Sequence, residues 1–195
     1  MSATATLLAN LDKLSASDRQ FAHSLLSARN PTEKQMLWIQ KLADRAMAPA
    51  PVATESLPLT GIMQRFDVAR SRQVHNPKIR LWLESGEKIV LAVAGDRSRY
   101  TGSVMLTDGQ PFGQNTYYGR ISPTGEVFPA PAMRDDVLNL LREFAANPSK
   151  IGATIGRRMG ACCFCSRTLT TNESLHVGYG PVCAENYGLD WGHTN

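Results

Sequence analysis

Apolar residues in the first 47 positions recur with the period of about 3.6 residues that marks one face of a helix. Two such faces are predicted, at Phe21, Leu25 and Ala28 and at Met36, Ile39, Ala43 and Met47. Ser17-x-x-Gln20 and Thr32-x-x-Gln35 both have the spacing of a capping box, which begins a helix. Asn30-Pro31 separates the two segments, because the residue before proline disfavours helical geometry. Residues 1–47 are therefore predicted to form a helical hairpin.

The pattern changes between residues 48 and 60, where Pro49, Pro51 and Pro58 disfavour regular helix. We predict a semi-extended linker over this range. The hairpin would then be a separate arm, suited to docking on a partner or to forming an oligomer with a second copy of the chain.

The segment from residue 61 to residue 158 combines helix-like patterns at both ends with a strand-rich block between them. Residues 61–74 come first and are predicted to form a helix with Ile62, Phe66 and Ala69 on its apolar face. Apolar runs separated by glycine-containing turns then predict five strands, at residues 78–83, 88–94, 102–107, 115–121 and 125–128. Asp135-Asp136 begins an amphipathic helix, because acidic residues are favourable at a helix N-terminus. We expect a small antiparallel sheet flanked by helices.

All four cysteines of the chain lie between residues 160 and 188. Cys162 and Cys165 have the Cys-x-x-Cys spacing that lets two thiolates of one tight turn bind a single zinc ion. Cys183 follows a Gly-Tyr-Gly-Pro turn, and Pro181 suits the first turn of a helix. A knuckle followed by a helix that donates another ligand predicts a treble-clef-like site for a structural Zn²⁺ in residues 159–195.

The fourth zinc ligand is left open by the spacing, because Asn186 stands where a second Cys-x-x-Cys would end. His176 is the preferred candidate, ahead of Cys163, His193 or a residue from elsewhere in the chain. The alternative is that the cysteines are small buried thiols without a metal. Three cysteines in this register favour the zinc site.

Further residues around the cysteines complete a longer motif: Arg167, Leu169, Glu173, Ser174 and the run from Gly178 to Ala184. With the cysteines, this motif resembles an uncharacterised zinc-knuckle family, a domain of unknown function that recurs in bacteriophage and actinobacterial proteins. The resemblance covers about residues 160–188 of the chain. It implies a zinc knuckle and a phage or mobile-element origin, and it implies no established activity.

Composition and charge limit the classes of protein to which the chain can belong. The formal net charge of +4 does not by itself indicate nucleic-acid binding, and the hydrophobic content of 43% is enough for a core. The sequence contains no leader-like start and no run of about 18 apolar residues. We expect a protein without a membrane segment in a reducing cytoplasm, the host cytoplasm if it is phage-encoded, where clustered cysteines hold metal.

Arginines lie beside aromatic residues at several points, as binding of single-stranded nucleic acid requires. The candidates for phosphate contact are Arg80, Arg97, Arg99, Arg120, Arg157, Arg158 and Arg167. The candidates for base stacking are Trp82, Tyr100 and Tyr118. Tyr117 and Tyr118 point to opposite faces of one strand, so at most one of them is available. The alternative is that the arginines are solvated and the aromatic residues pack in the core.

Phosphate-loop, zinc-hydrolase and nucleophile-elbow motifs are absent from the sequence, so an enzyme is not expected. The alternative is a three-ligand zinc site whose vacant position binds a catalytic water. We predict an α+β protein that binds nucleic acid, preferentially single-stranded DNA, as a phage accessory factor in replication, recombination or transcription. The alternative function is a protein-binding adaptor or inhibitor that uses the helical arm. Its partner would be a host or phage polymerase, a replication protein or a defence complex.

Overall fold

The computed structural model of the chain describes residues 2–48, 53–58, 60–111 and 113–191. The chain divides into two compact units. The helical unit comprises Met1–Pro51 with Arg97–Arg99, and the sheet unit comprises Val52–Asp96 with Tyr100–Asn195. In the part of the chain that is described, no helix is both long enough and apolar enough to cross a membrane.

The helical unit contains α1 (Ala3–Ala9), α2 (Ala16–Leu26) and α3 (Glu33–Met47), with a short 3₁₀ turn at Leu11–Lys13. Thr32 and Gln35 form the predicted capping box at the start of α3, because each side chain accepts a hydrogen bond from the other residue's N–H. The helix start predicted at Ser17 is wrong. Ser15 has the extended backbone of a cap and accepts a hydrogen bond from the Asp18 N–H. α2 therefore begins two residues earlier than predicted, and the helical unit contains one further helix, α1.

The core of the helical unit is formed by residues from all three helices and from the turn after α1. Its buried side chains are Leu7, Leu14, Ala22, Leu25, Ile39, Leu42, Ala43 and Ala46. Phe21, Met36 and Met47, predicted on the apolar faces, are 41%, 39% and 57% exposed. α1 packs against α3, whose buried residues are Ile39, Leu42, Ala43 and Ala46, so the buried face of α3 differs from the predicted one.

One antiparallel sheet forms the centre of the sheet unit. Its strands are β1 (Glu55–Ser56), β2 (Lys78–Trp82), β3 (Lys88–Val93), β4 (Val104–Thr107), β5 (Tyr117–Ile121) and β6 (Glu126–Pro129), in the order β1-β6-β5-β4-β3-β2. The predicted α+β class is confirmed, and the five predicted strands correspond to β2–β6. β1 lies in the range predicted as a linker, in which residues 49–52 and 59 are outside the described residues.

The helices of the sheet unit are α4 (Thr60–Ser71), α5 (Asp135–Ala146), α6 (Pro148–Met159), α7 (Asn172–Val177) and α8 (Pro181–Tyr187). α4 buries Ile62, Phe66 and Ala69, as its apolar spacing predicts. α5 buries Val137 and Phe144 in the same core. These side chains share one core with inward-facing residues of the sheet, Ile79, Leu81, Leu91, Leu106 and Ile121. Apolar residues around the cysteines belong to this core as well.

Candidate metal centre and nucleic-acid interface

Residues 160–168 form a tight knuckle directly after α6. Gly160 ends α6 with a φ of 62°, a left-handed conformation that favours glycine. The Cys162 N–H then donates a hydrogen bond of 2.9 Å to the Arg167 carbonyl, which closes the turn. This turn brings the sulfur atoms of Cys162 and Cys165 together.

Cys183 reaches the knuckle from the first turn of α8, where Pro181 occupies the first helical position as predicted. The turn before α8 packs closely on α6. Gly178 has a φ of 92°, and a Cβ atom on Gly156 of α6 would lie only 1.6 Å from the Gly178 carbonyl oxygen. α6 and this turn can approach so closely only because both positions are glycine, and the close approach places α8 beside the knuckle.

The sulfur atoms of Cys162, Cys165 and Cys183 lie within 4.8 Å of one another. Cys162 and Cys183 are buried, whereas Cys165 is exposed. Three thiol ligands at this separation could hold a metal ion. The structure therefore brings together the three cysteines that the sequence predicts as metal ligands.

The ionisation of these thiols suits metal binding, because a cysteine binds metal as the thiolate. A hydrogen bond from Cys183 lowers the pKa of Cys162, and this effect exceeds the opposing effect of burial. The same hydrogen bond raises the pKa of Cys183. This hydrogen bond favours the thiolate at Cys162, and a divalent ion at the same place would stabilise all three thiolates.

Cys163 and His176 lie apart from this group. The Cys163 sulfur is buried, 3.8 Å from the Gly152 carbonyl oxygen, and burial raises the pKa of its thiol. Among the described residues, the group that could hold a metal consists of the three cysteines. The structure therefore does not bring the predicted fourth ligand, His176, to the metal site, because α7 holds this residue at the surface. The other candidate, His193, lies outside the described residues.

The three cysteines line one side of a cavity of about 510 Å³. Lys78 and Arg80 of β2, Arg167 of the knuckle and His75 of the loop before β2 contribute to its lining. No aspartate or glutamate occurs among the described residues that line it. We term this cavity the basic cleft. Lys78 belongs to a group of basic residues in the sequence, with Arg65, Arg70, Arg72 and Arg80, that is opposed only by Asp67. Sequence reasoning missed His75, because the loop before β2 carries no motif and meets the cysteines only in the folded chain.

The knuckle and α8 cover the outer edge of β2. The Arg80 N–H donates a hydrogen bond of 2.7 Å to the Cys163 carbonyl, and the Tyr187 hydroxyl donates one of 3.2 Å to the Lys78 carbonyl. An unpaired strand edge is otherwise available for pairing with another chain. These two bonds protect the edge and set the position of the knuckle relative to the sheet.

Three of the arginines predicted to contact phosphate also make structural contacts. Their guanidinium groups donate hydrogen bonds to backbone carbonyls, Arg80 to Phe164, Arg157 to His176 and Arg158 to Trp82. Each guanidinium keeps further N–H groups for another ligand. Arg167 is exposed, and its side chain takes part in none of the hydrogen bonds found within the described chain. Arg97 and Arg99 follow β3 and belong to the helical unit.

The face of the sheet that carries Lys78 also carries an arginine held between two aromatic rings. The guanidinium carbon of Arg120 lies 4.3 Å from the centre of the Tyr100 ring and 3.7 Å from the centre of the Phe128 ring. Tyr117 lies on the same face and is 37% exposed. We term these four residues, Tyr100, Tyr117, Arg120 and Phe128, the aromatic–arginine cluster.

Tyr118 points to the opposite face and is 1% exposed, so the prediction that it stacks on bases is wrong. Its hydroxyl donates a hydrogen bond to the Glu87 carboxylate, which also pairs with Arg134. Burial, followed by this hydrogen bond, raises the pKa of Tyr118. Trp82, the other strand aromatic predicted to stack, is half-buried against the core. Neighbouring residues of a strand point to opposite faces, so at most one of Tyr117 and Tyr118 can be accessible for base stacking. The accessible one is Tyr117.

Residues 153–188 match a family model described as Family of unknown function (DUF6011). The matched segment runs from within α6 to the residue after α8, and it contains the three cysteines that could hold a metal. No curated protein and no solved structure matches the chain. The comparisons thus support an uncharacterised domain around the cysteines and assign no activity to it.

Proposed function

We propose that this protein is a zinc-stabilised nucleic-acid-binding protein that prefers single-stranded DNA. It would act as an accessory factor in replication, recombination or transcription, encoded by a phage or another mobile element. The observation that carries the proposal is a row of side chains across one face of the sheet, between the basic cleft and the aromatic–arginine cluster. Cations that meet phosphates and aromatic rings that meet bases are the two requirements for binding a single strand.

The register of the strands defines this row. Lys78 on β2 lies opposite Ala92 on β3. Ala92 lies opposite Met105 on β4, and Met105 lies opposite Arg120 on β5. Neighbouring strands are about 4.8 Å apart, so the backbone positions of Lys78 and Arg120 are separated by about 14 Å. The two residues between them carry no negative charge. One extended strand can therefore contact both cations with its phosphates.

Base stacking is assigned to the exposed ring of Tyr117. A tyrosine hydroxyl is neutral at physiological pH and does not repel phosphate, and burial raises the pKa of Tyr117 further. Arg120 lies near this ring, fixed between Tyr100 and Phe128. A stacked aromatic side chain contributes about 1–3 kcal/mol per base to single-strand binding. The cluster therefore supplies a base contact and a phosphate contact at the same end of the row.

The metal in this proposal is a structural Zn²⁺ bound by Cys162, Cys165 and Cys183. Zn²⁺ prefers four ligands in tetrahedral geometry, and the three thiolates would fill three of these positions. The ion would join the knuckle to α8, and the knuckle contacts β2 through the Arg80 N–H. Its role would be to hold Arg167 beside the sheet, and the proposed activity is binding without catalysis.

Fluorescence anisotropy of the zinc-loaded protein with labelled single-stranded DNA, duplex DNA and RNA tests the proposal. We expect the tightest binding to single-stranded DNA and a steep loss of affinity with salt, because counterions are released on binding. Tyr117→Ala should weaken binding about 5- to 150-fold, the equivalent of one lost stack. Arg120→Gln should also lower the salt slope by about 0.7.

Arg29→Gln is the matched control, because Arg29 is an exposed arginine of the helical unit and lies outside the row. It removes the same charge and should leave the affinity unchanged. Absence of binding to all three polymers at low salt would overturn the proposal. Equal losses in Arg29→Gln and Arg120→Gln would show that only overall charge matters.

A second candidate function, that of a protein-binding adaptor or inhibitor, is favoured by the surface of the helical unit. Leu8, Leu37 and Met47 are each more than half exposed. Phe21 and Trp38 form an edge-on aromatic pair with ring centres 5.8 Å apart. Exposed apolar and aromatic side chains are common at protein interfaces. Failure to bind nucleic acid, together with a polymerase or replication protein retained in a pull-down, would favour this function.

A further inference from the structure

The basic cleft contains hydrogen-bond donors in addition to Lys78, the cleft residue that also belongs to the row across the sheet. Lys78, Arg80 and Arg167 line it with basic side chains, and Thr168 and Thr170 add hydroxyl groups. No carboxylate lines it within the described part of the chain. Three thiolates around a divalent ion carry one net negative charge, so the three cations leave the cleft net positive when metal is bound. This lining favours an anionic ligand.

The size of the cleft narrows the class of anion. A cavity of about 510 Å³ is within the range of cavities that bind small molecules, so it can receive a nucleotide. Val182 also lines the cleft and is 67% exposed, which provides apolar contact for a sugar or a base. Cations at the wall and an apolar residue beside them match a group that carries phosphate at one end and a ring at the other.

The position of the cleft indicates which part of a nucleic acid would reach it. β2 is one of the two edge strands of the sheet, and the knuckle covers its outer edge. A nucleic-acid strand that follows the row from Arg120 to Lys78 therefore reaches the knuckle after crossing β2. The cleft lies at that point, since Lys78 belongs both to the row and to the cleft lining. This is the place where the end of a bound strand would be held.

We propose that the basic cleft binds a terminal phosphate monoester, either at the end of a nucleic-acid strand or on a free nucleotide. A monoester carries about −1.5 to −2 charges at pH 7, more than the single charge of an internal phosphate. Arg80 and Arg167 supply guanidinium groups for charge-assisted hydrogen bonds, and Lys78 adds a third charge. The strand-end form rests on the proposed function, whereas recognition of the phosphate monoester does not.

Single-stranded oligonucleotides that differ only at their ends test the strand-end form. The zinc-loaded full chain is titrated with one DNA sequence that carries a 5′-phosphate, a 3′-phosphate or hydroxyl groups at both ends. We expect one phosphorylated form to bind at least about tenfold more tightly, the effect of a charge-assisted hydrogen bond. Arg167→Gln should remove this preference. Equal affinity for all three oligonucleotides would overturn the strand-end form.

Lys150→Gln is the control for that variant, because Lys150 is exposed and lies outside the cleft lining. It should retain the end preference. Lys78→Gln repeats the test at a second cleft position and should reduce the preference. Metal content is measured for every variant, and a loss of preference counts only where the zinc content equals that of the unmodified protein.

Calorimetric titration with a nucleoside monophosphate and with inorganic phosphate, at constant ionic strength, tests the phosphate site by itself. We expect the nucleotide to bind and Arg167→Gln to weaken it at least about tenfold. Binding of neither ligand, with no end preference among oligonucleotides that do bind, would overturn this inference and leave the proposed function standing. Nucleotide binding without affinity for any oligonucleotide would overturn the proposed function and support the phosphate site.

Discussion

The helical unit and the knuckle region are short segments that are stabilised in different ways. Residues 2–48 have a core of their own, formed by eight buried side chains. Residues 160–188 have no separate core among the described residues, since Cys163, Phe164 and Leu169 join the core beneath the sheet. The helical unit therefore depends on packing within itself, whereas the knuckle depends on docking to its neighbours.

Among the described residues, the one group that could hold a metal lies in the knuckle region, and the difference in packing gives a physical reason. One side of the knuckle packs on the core and on β2, while the other side carries the exposed Cys165 and faces the basic cleft. Packing on that open side is incomplete. A metal would connect the Cys162–Cys165 turn to Cys183 across it and so supply stability that apolar contacts do not. In the helical unit, the enclosed core makes such a cross-link unnecessary.

The largest expected effect comes from removing one thiol ligand. Cys162→Ala should abolish stoichiometric metal binding and unfold the knuckle locally, because structural zinc sites contribute on the order of 10 kcal/mol in small domains. The helical unit should keep its protection from hydrogen exchange, since it has its own core. Metal analysis and hydrogen-exchange mass spectrometry measure the two effects separately.

Cys163→Ala is the matched control, because this neighbouring thiol is buried beside Gly152 and apart from the metal site. It should keep full metal content and reduce stability by about 1–2 kcal/mol through lost packing. His176→Ala should keep full metal content too. Equal metal loss in Cys162→Ala and Cys163→Ala would contradict the assignment of ligands.

A smaller effect is expected from removing a helix cap in the helical unit. Ser15→Ala should reduce the stability of this unit by about 1 kcal/mol, because the Asp18 N–H loses its acceptor. The metal content and the protection of the knuckle should not change. Ser17→Ala is the control, because it removes only an exposed contact of 3.2 Å with the Ser15 hydroxyl, and it should cost no more than about 0.5 kcal/mol. Urea unfolding followed by helical circular dichroism checks both, and equal losses would contradict the cap at Ser15.

The smallest effect concerns pH and should appear only in the sheet unit. Hydrogen bonds from Arg134 and, second, from Tyr118 lower the pKa of Glu87. Because the folded-state pKa lies below the unfolded value of about 4.3, this stabilisation is present above that value and is lost as the pH falls through the folded pKa. Glu87→Gln should therefore flatten the acid side of the stability profile by less than about 1 kcal/mol.

Urea unfolding of the sheet unit at several pH values, from about pH 6 to about pH 3, measures this change. The flattening should be partial, because Arg134 also lowers the pKa of Asp136. Identical acid profiles for Glu87→Gln and the unmodified protein would show that the Glu87 contacts do not contribute. A changed profile in the helical unit would contradict the separation of the two units.

Most strands of the sheet could be predicted from the pattern of apolar and polar residues within each strand. β2–β6 lie at or close to the predicted ranges, because alternation and glycine turns depend on residues near in sequence. β1 was missed because proline-rich composition indicated a linker and its partner strand, β6, is far along the chain. α1 was missed for a related reason, since its burial depends on contact with α3.

The sequence by itself determined the α+β class, most of the strands and the three cysteines that could hold a metal. Each of these follows from short spacings or from the chemistry of single side chains. Only the tertiary structure decided that Tyr117 rather than Tyr118 is exposed, that Cys163 points into the core and that His75 meets the cysteines in one cleft. The physical reason is that these outcomes depend on which side of an element meets the core, and on contacts between segments that are distant along the chain.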